Sequence, residues 1–522
     1  MPASPSPSGR AAKRVSPPNE AGTPVLVWQG KAPASVSSAL RLSPQASWGA
    51  RTTTTEAVGN PQPADGSDHL IQGENLAVLQ HLAATGWRGQ VKLAYIDPPF
   101  DSGADYARQV QARSDSGQHG PAVRQVAYRD VWQPTDYVQF MYERLQAIWA
   151  LLADDGSLFF HCDYRRAHHM RCLLDEIFGP DRFRNQIVWA YGTSARGAKA
   201  TAGQFARNHD VILWYGKGPT TAFAPVRVER RIQTGEAKAR GFRQDEQGTW
   251  FKTAPRGDYT DASIARLESE GRIYRTRTGT IRIKYPLRSE GDWVIEDVLV
   301  GDVWTDIPDA MHAGKHEQFN YPTRKPEALL ARLIQAASSP DDLILDCFSG
   351  SGSTLVAAQR LGRRWIGCDV SPIAIQVAAS RLAIEHPATE TIGRRGRSAP
   401  ASSRPGILWG SSGGHVDLAP LSLQWRSDRH SGVLNSGTLT ISAPDLPAGM
   451  DQDWRSTIEA VYVDPAYDGQ RFHRAIADVP VGHYRCVQGT YTVPLPDPAG
   501  MVCVQAIDIR GQVWTGSVAG DP

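Results

Sequence analysis

Long uncharged apolar runs are missing from this chain. Nothing approaches the ~18 to 20 residues that a membrane-spanning helix requires, and the first residues carry Arg10, Lys13 and Arg14 without the apolar core of a secretion signal. Cysteine is scarce: Cys162, Cys172, Cys347, Cys368, Cys486 and Cys503 contain no C-x-x-C pair, so neither a zinc cluster nor a disulfide framework is signalled. No membrane partner and no metal are expected, and the chain reads as cytoplasmic. A dominant charge sign is missing too. Against 56 Lys and Arg stand 54 Asp and Glu, a net charge of +2, so any surface for a polyanion has to come from local segregation. With 41% hydrophobic and 21% charged residues, wholesale disorder and fibrous repeats are excluded. No internal repeat stands out.

What is present divides the chain into stretches of different grammar. Residues 1–66 are dominated by Pro, Ser, Ala, Gly and Thr and read as a disordered arm. From 67 to 385 helical and strand patterns alternate, which predicts an α/β domain of the doubly wound, Rossmann-like kind. That alternation is interrupted at 195–300, read as an insertion. Residues 386–420, rich in Ser, Gly, Pro and Arg, read as a linker, and 421–522 alternate β-branched and aromatic residues between turns, as in a β-sandwich-like domain.

Two strand ends carry the chemistry. The strand LILDCF runs into FSGSGST (348–354), where Gly350 and Gly352 permit tight turns and the following helix start offers open amides. Asp369 ends the next strand, WIGCD, the position at which a doubly wound fold hydrogen-bonds ribose hydroxyls, so the expected ligand contains a nucleoside. Asp346, just ahead of the loop, is either a strand-end cap or a contact for an amino acid moiety of that ligand. A second strand, VKLAYI, ends in Asp97-Pro98-Pro99-Phe100. The prolines remove two donors and fix two torsions, leaving Asp97 and the Pro98 carbonyl as rigid acceptors for an exocyclic amine, with Phe100 to stack on its base. Held that way, the amine lone pair can attack an electrophilic methyl directly. DPAY at 464–467 lacks the second proline and a nearby glycine loop and reads as a turn.

Together these residues resemble the amino-DNA methyltransferases that use S-adenosylmethionine, in the beta-class order with DPPF at 97 far ahead of FSGSG at 348. IQGENL (71–76), DGSLFFHCD (155–163), NHDVILWYGKG (208–218), DVWTDIP (302–308) and YPTRKPEALLARLI (321–334) look like blocks of the same family, particularly the modification subunits of type III restriction systems. The resemblance implies that Asp97, Pro98, Pro99 and Phe100 hold the target base. It implies that Asp346, Phe348, Gly350, Gly352, Ser353, Thr354 and Asp369 bind the cofactor, with Thr323 and Lys325 near its methionine part and Glu74 and Asn75 near its adenine. The family often has G-D-N where this chain has G-E-N, and tyrosine where it has Phe100.

Charge is segregated after all. Between Arg227 and Arg288 fifteen Lys and Arg face eight Asp and Glu, interleaved with aromatics, and RIYRTRTGTIRIKYPLR alternates like a basic hairpin suited to double-stranded DNA. In the resembling family this interval is the target recognition region. The tail from 421 carries eleven acidic and seven basic residues, so protein contact is expected there, with a helicase or nuclease restriction subunit or a second copy of the chain as candidate partners. The leading expectation is a site-specific methyltransferase acting on N6 of adenine in a flipped nucleotide, because DPP rather than SPP is the commoner adenine form in that family. N4 of cytosine, and a catalytically silent specificity subunit, are the alternatives.

Overall fold

The computed structural model describes residues 25–33, 40–48, 61–63, 66–111, 122–192, 203–310, 321–322, 324–386, 390–391, 406–411, 418–420, 423–428, 436–441, 454–469, 472–480, 486–494, 500–508 and 512–519. They form two compact units, one from Met1–Ala224 with Asp302–Pro522, the other Pro225–Gly301.

The larger unit is built on an 11-stranded sheet. At its centre Leu152–Cys162, Val91–Ile96, Leu343–Asp346, Arg364–Asp369 and Asp68–Gln72 run side by side and parallel. These strands are nearly continuous apolar runs because helices cover both faces. One face packs the helices Asn75–Ala84, Pro134–Leu151 and Ala167–Phe178 through Val78, Leu82, Met141, Leu145 and Leu173 onto Ala94, Ile96 and Leu158. The other carries Glu327–Ala337, Ser353–Arg360 and Pro372–Glu385. Chain order reverses between Val91–Ile96, which neighbours Leu152–Cys162 on one side, and Leu343–Asp346, which leads to Arg364–Asp369 on the other. A doubly wound sheet opens a crevice at such a reversal, outside the strands' carboxyl ends.

Several expected boundaries need correction. Within the supposed disordered arm, Leu42–Trp48 is a strand of the central sheet, antiparallel to Gly406–Ser411 and parallel to Phe472–Arg474. Its buried Leu42, Ala46 and Trp48 are separated by Ser, Pro and Gln, which hid the pattern. Upstream, Trp28 Nε1 donates to Gln139 Oε1 over 3.2 Å and Lys31 pairs with Glu176 at 2.6 Å. The rest of 1–66 falls almost wholly outside the described residues. The linker reading fails at Gly406–Ser411, whose Ile407 and Leu408 lie buried beside Asp68–Gln72 in the sheet. The insertion is shorter than 195–300: His209–Gly216 pairs with Leu152–Cys162 and Phe183–Ala190 and belongs to the central sheet. DPAY is no turn, since it lies inside the strand Ile458–Tyr467 with Asp464 fully buried.

Beyond 421 the described residues form strands and one short helical turn. A six-stranded and a three-stranded sheet face each other across Val461, Val463 and Val504 on one side and Leu439, Tyr491 and Val493 on the other. This layer is tied to the α/β part: Tyr462 donates to Ser380 Oγ over 2.5 Å, and Arg108 pairs with Glu459 at 3.0 Å. No helix among the described residues is long and apolar enough to cross a membrane.

Candidate active site

Asp97 follows the last residue of Val91–Ile96, and the turn after it is held by a residue the sequence did not single out. Asp130 is buried, and its Oδ2 accepts from the backbone N–H groups of Phe100 at 3.2 Å and Ser102 at 2.9 Å. Its Oδ1 accepts from Asp101 N at 2.8 Å and Trp132 Nε1 at 3.1 Å. Asp101 sits at φ 57, a left-handed conformation that costs a non-glycine residue about 1–2 kcal/mol, and its carboxylate pairs with Arg166. The Asp-Pro-Pro-Phe turn is therefore a clamped structure, with its acceptors set before any ligand arrives.

The glycine loop leaves Leu343–Asp346 on the adjacent strand. Asp346 closes it from inside, accepting from Phe348 N at 3.0 Å and Thr354 Oγ1 at 2.6 Å. Burial pushes the Asp346 carboxyl up to about 7, against these hydrogen bonds and with Asp97 and Asp369 adding like charge. Asp369 braces the loop from the next strand, accepting from Gly350 N at 2.9 Å and Ser371 N at 2.8 Å, and burial raises its carboxyl as well. Gly352 stands at φ 75, and a Cβ there would lie 2.8 Å from the Cβ of Ala378, so the position demands glycine twice over. Behind the loop, fully buried Arg381 donates to Ser351 O at 2.7 Å and Ser353 Oγ at 3.0 Å and pairs with Glu327 at 2.9 Å. Ser353 and Thr354 thus spend their hydroxyls on loop support. An arginine within the apolar helix PIAIQVAASRLAIE was the one sequence signal for this brace.

The other expected residues divide. Asn75 Nδ2 donates to Cys347 O at 3.0 Å while its Oδ1 accepts from Arg144 Nε at 2.6 Å, and Glu74 caps its helix at Ala77 N and pairs with Arg144. Both line the cavity; Asn75 ties the G-E-N turn to Cys347 just ahead of the glycine loop, and Glu74 ties it to Arg144. Lys325, expected beside the cofactor, lines the same cavity, donates to Asp97 Oδ2 at 2.6 Å and stands 5.0 Å from the Phe100 ring centroid. Thr323 lies outside the described residues.

All of this opens on a single cavity of about 1140 Å³ shared by Asp97, Phe100, Lys325, Asp346, Gly350 and Asp369. Beside Phe100 lies a polar chain that the sequence did not single out. His161, fully buried, has Nδ1 2.8 Å from the Tyr95 hydroxyl and Nε2 3.2 Å from Asp210 Oδ2, while Tyr191 donates to Asp210 Oδ1 at 3.3 Å. Burial acts to raise the Asp210 carboxyl, but the contacts of His161, Lys325 and Tyr191 together leave it below the usual range. The His161 ring lies 5.9 Å from Phe100, so this chain forms a rigid floor under the aromatic ring.

Two buried polar atoms in the cavity wall have no partner among the described residues, Asp97 Oδ1 and Ser349 Oγ. A carboxylate oxygen awaiting a donor, two further carboxylates at strand ends and a turn opened by Gly350 and Gly352 fit a cationic nucleoside ligand and an amine-bearing base.

A family model described as DNA methylase matches residues 91–380. The chain is 32% identical over 338 residues to the type II methyltransferase M.EcaI of Enterobacter cloacae, an alignment covering 60% of this chain and 69% of that protein. It is 23% identical over 314 residues to the DNA adenine methyltransferase YhdJ of Escherichia coli, covering 60% and 82%. Among solved structures, an M1.HpyAVI–SAM complex aligns over 60% of this chain and 98% of its own at 14% identity and a TM-score of 0.34. The matched region spans about half the length of the type III Mod subunits it also resembles, 50% in two cases. With the family model spanning both strand-end motifs, the glycine loop included, this chain belongs to the DNA methylase family.

Proposed function

We propose that this chain transfers a methyl group to N6 of adenine in double-stranded DNA, at a specific site and as part of a restriction-modification system. The observation that carries the reading is Asp97 Oδ1, a buried acceptor with no partner among the described residues, in a cavity shared with the glycine loop. In this reading Oδ1 accepts one N–H of the target amine and the Pro98 carbonyl the other, so the nitrogen lone pair is aimed away from both. Lys325 holds Oδ2 and orients the carboxylate. Phe100, backed by the His161 floor, stacks on the extruded base. Asp346 and Asp369 hold the ammonium and ribose ends of S-adenosylmethionine, and Gly350 leaves room for it. When bound, that cofactor supplies an electrophilic methyl carbon on sulfur.

Adenine is preferred to cytosine because the tetrapeptide begins with Asp rather than Ser, and because YhdJ, named as an adenine methyltransferase, is among the relatives. Kinship with type III Mod subunits supports a restriction subunit as partner. The test is methyl transfer from labelled cofactor to DNA, followed by mass spectrometry of the nucleosides. N6-methyladenine is expected, and Asp97→Ala should lower the rate by about 100-fold or more, as for loss of a preorganised polar contact to the reacting group. N4-methylcytosine alone would overturn the adenine assignment.

A further inference from the structure

A hairpin walls the cavity, and among the described residues its two strands pair only with each other. Ala104–Gln111 and Ala122–Asp130 form an antiparallel two-stranded sheet shortly after the Asp-Pro-Pro-Phe turn. An isolated hairpin is marginal in water, so this one depends on anchors beyond its own ladder. The first is at its base. Gly103 N donates to Asp130 O at 2.9 Å, and the Asp130 carboxylate holds the turn that leads in.

The second anchor is apolar. The register slips between Tyr106 and Ala107 and leaves Ala127 without an opposite residue, and this bulge brings both Ala127 and Tyr128 into one cluster with Tyr321, Ile373, Ala374 and Val377. Tyr321 stands over the glycine loop, where a Cβ on Gly350 would lie 3.5 Å from its Cε1. Ile373 lies in the first turn of the helix that follows Asp369. The hairpin therefore packs on the elements that carry Gly350 and Asp369, and Tyr106, Arg108 and Val126 line the cavity together with Val370.

The third anchor is a charge pair that comes from far along the chain. Arg108 is buried, with 4% of its side chain exposed; its Nε donates to Gln125 Oε1 across the hairpin at 2.6 Å and its Nη2 to Glu459 Oε2 at 3.0 Å. Glu459 belongs to Ile458–Tyr467 in the C-terminal β layer and sits where the register against Met501–Asp508 slips between Ile458 and Ala460. A bulge re-aims the side chain at its extra residue, and here the carboxylate reaches the hairpin while Ile458 and Ala460 stay buried. Without that carboxylate Arg108 would keep the cost of its burial and lose its compensation. Glu459 itself stands outside the cavity, and outside the stretch 91–380 shared with the DNA methylase family.

We infer that the C-terminal layer completes the cofactor site: Glu459, acting through Arg108, is a positioning residue that holds the hairpin against the nucleoside end of S-adenosylmethionine. The inference rests on the reading that this cavity takes that cofactor with its ribose at Asp369. The layer is then a working part of the site, because the hairpin is too small to keep its place unaided.

The test is calorimetry of the full chain with S-adenosylmethionine and, separately, with S-adenosylhomocysteine, whose sulfur carries no charge. Glu459→Ala should weaken both by about tenfold, the scale of one charged hydrogen bond, and Glu459→Gln, which keeps an acceptor oxygen, by about threefold. Because Glu459 acts through Arg108, the double variant Arg108→Ala with Glu459→Ala should bind no more weakly than Arg108→Ala alone. Tyr462→Phe removes the layer's other tie, to Ser380, and controls for a layer that has merely loosened; its affinity should stay within about twofold of wild type. Should Glu459→Ala fail to fold, the glutamine variant decides. Unchanged affinity in the Glu459 variants, a loss confined to the sulfonium form, an equal loss in Tyr462→Phe, or additive losses in the double variant each overturn the inference while wild-type binding stands. A wild type that binds neither compound takes the reading of the cavity down as well.

Discussion

Replacing Asp346 with asparagine should make the cofactor-free protein more stable at pH 8 and leave it no more stable at pH 4. In the folded chain burial lifts this carboxyl from 3.8 to about 7. Between those values the folded protein keeps the proton while the unfolded chain releases it, so each rise of one pH unit favours unfolding by about 1.4 kcal/mol. Below about pH 4 both states are protonated and the penalty is absent. Above about 7 both are ionised and it is complete, at roughly 4 kcal/mol. Asparagine carries no such penalty. Its carbonyl can still accept from Phe348 N, and its amide can donate to a Thr354 hydroxyl that has rotated. The assay is denaturant unfolding of the two proteins side by side across pH 4 to 8, so that shared titrations cancel. The stability gap should open through pH 5 and 6 and level off near 7 to 8. A gap independent of pH, or a wild type that stays the more stable at pH 8, would refute the reasoning. If Asp346 meets the cofactor ammonium, wild-type cofactor affinity should also rise with pH up to about 7, and the asparagine variant should lose both the affinity and its pH dependence.

Two further predictions concern the target-base side. Asp130→Ala leaves the backbone donors of residues 100–102 without their acceptor; methyl transfer should fall about 100-fold, as for a reacting group displaced by about 1 Å, with cofactor affinity within about threefold of wild type. Full activity in single-turnover assays would show that the turn holds without its clamp. Lys325→Ala removes a charged hydrogen bond from Asp97 Oδ2, so turnover should fall roughly 10- to 100-fold with little change in cofactor affinity measured by calorimetry. A loss confined to cofactor affinity would return Lys325 to the role the sequence suggested.

Where the sequence was hard to read, the reasons are physical. The Leu42–Trp48 and Gly406–Ser411 strands were hidden because an edge region of a sheet needs only a few apolar residues, and those are diluted by Ser, Pro and Gly. Asp130, Arg381 and Arg144 escaped notice because each works on backbone or side chains distant in the chain, and only Arg381, set in an apolar helix, carries a local mark.

By itself, the sequence determined the alternating α/β plan, the two strand-end motifs and the kinship, since apolar periodicity and turn residues act locally and are written in consecutive positions. Only the tertiary structure decided that Asp97 and the 348–354 loop share one cavity, because two motifs far apart in the chain become neighbours through the parallel pairing of Leu93 with Ile344 and Ala94 with Leu345. It alone showed Lys325 hydrogen-bonded to Asp97 and both Glu74 and Asn75 joined to Arg144. Which groups a polar side chain can reach depends on the packing of whole strands and helices, and no spacing along the chain encodes that distance.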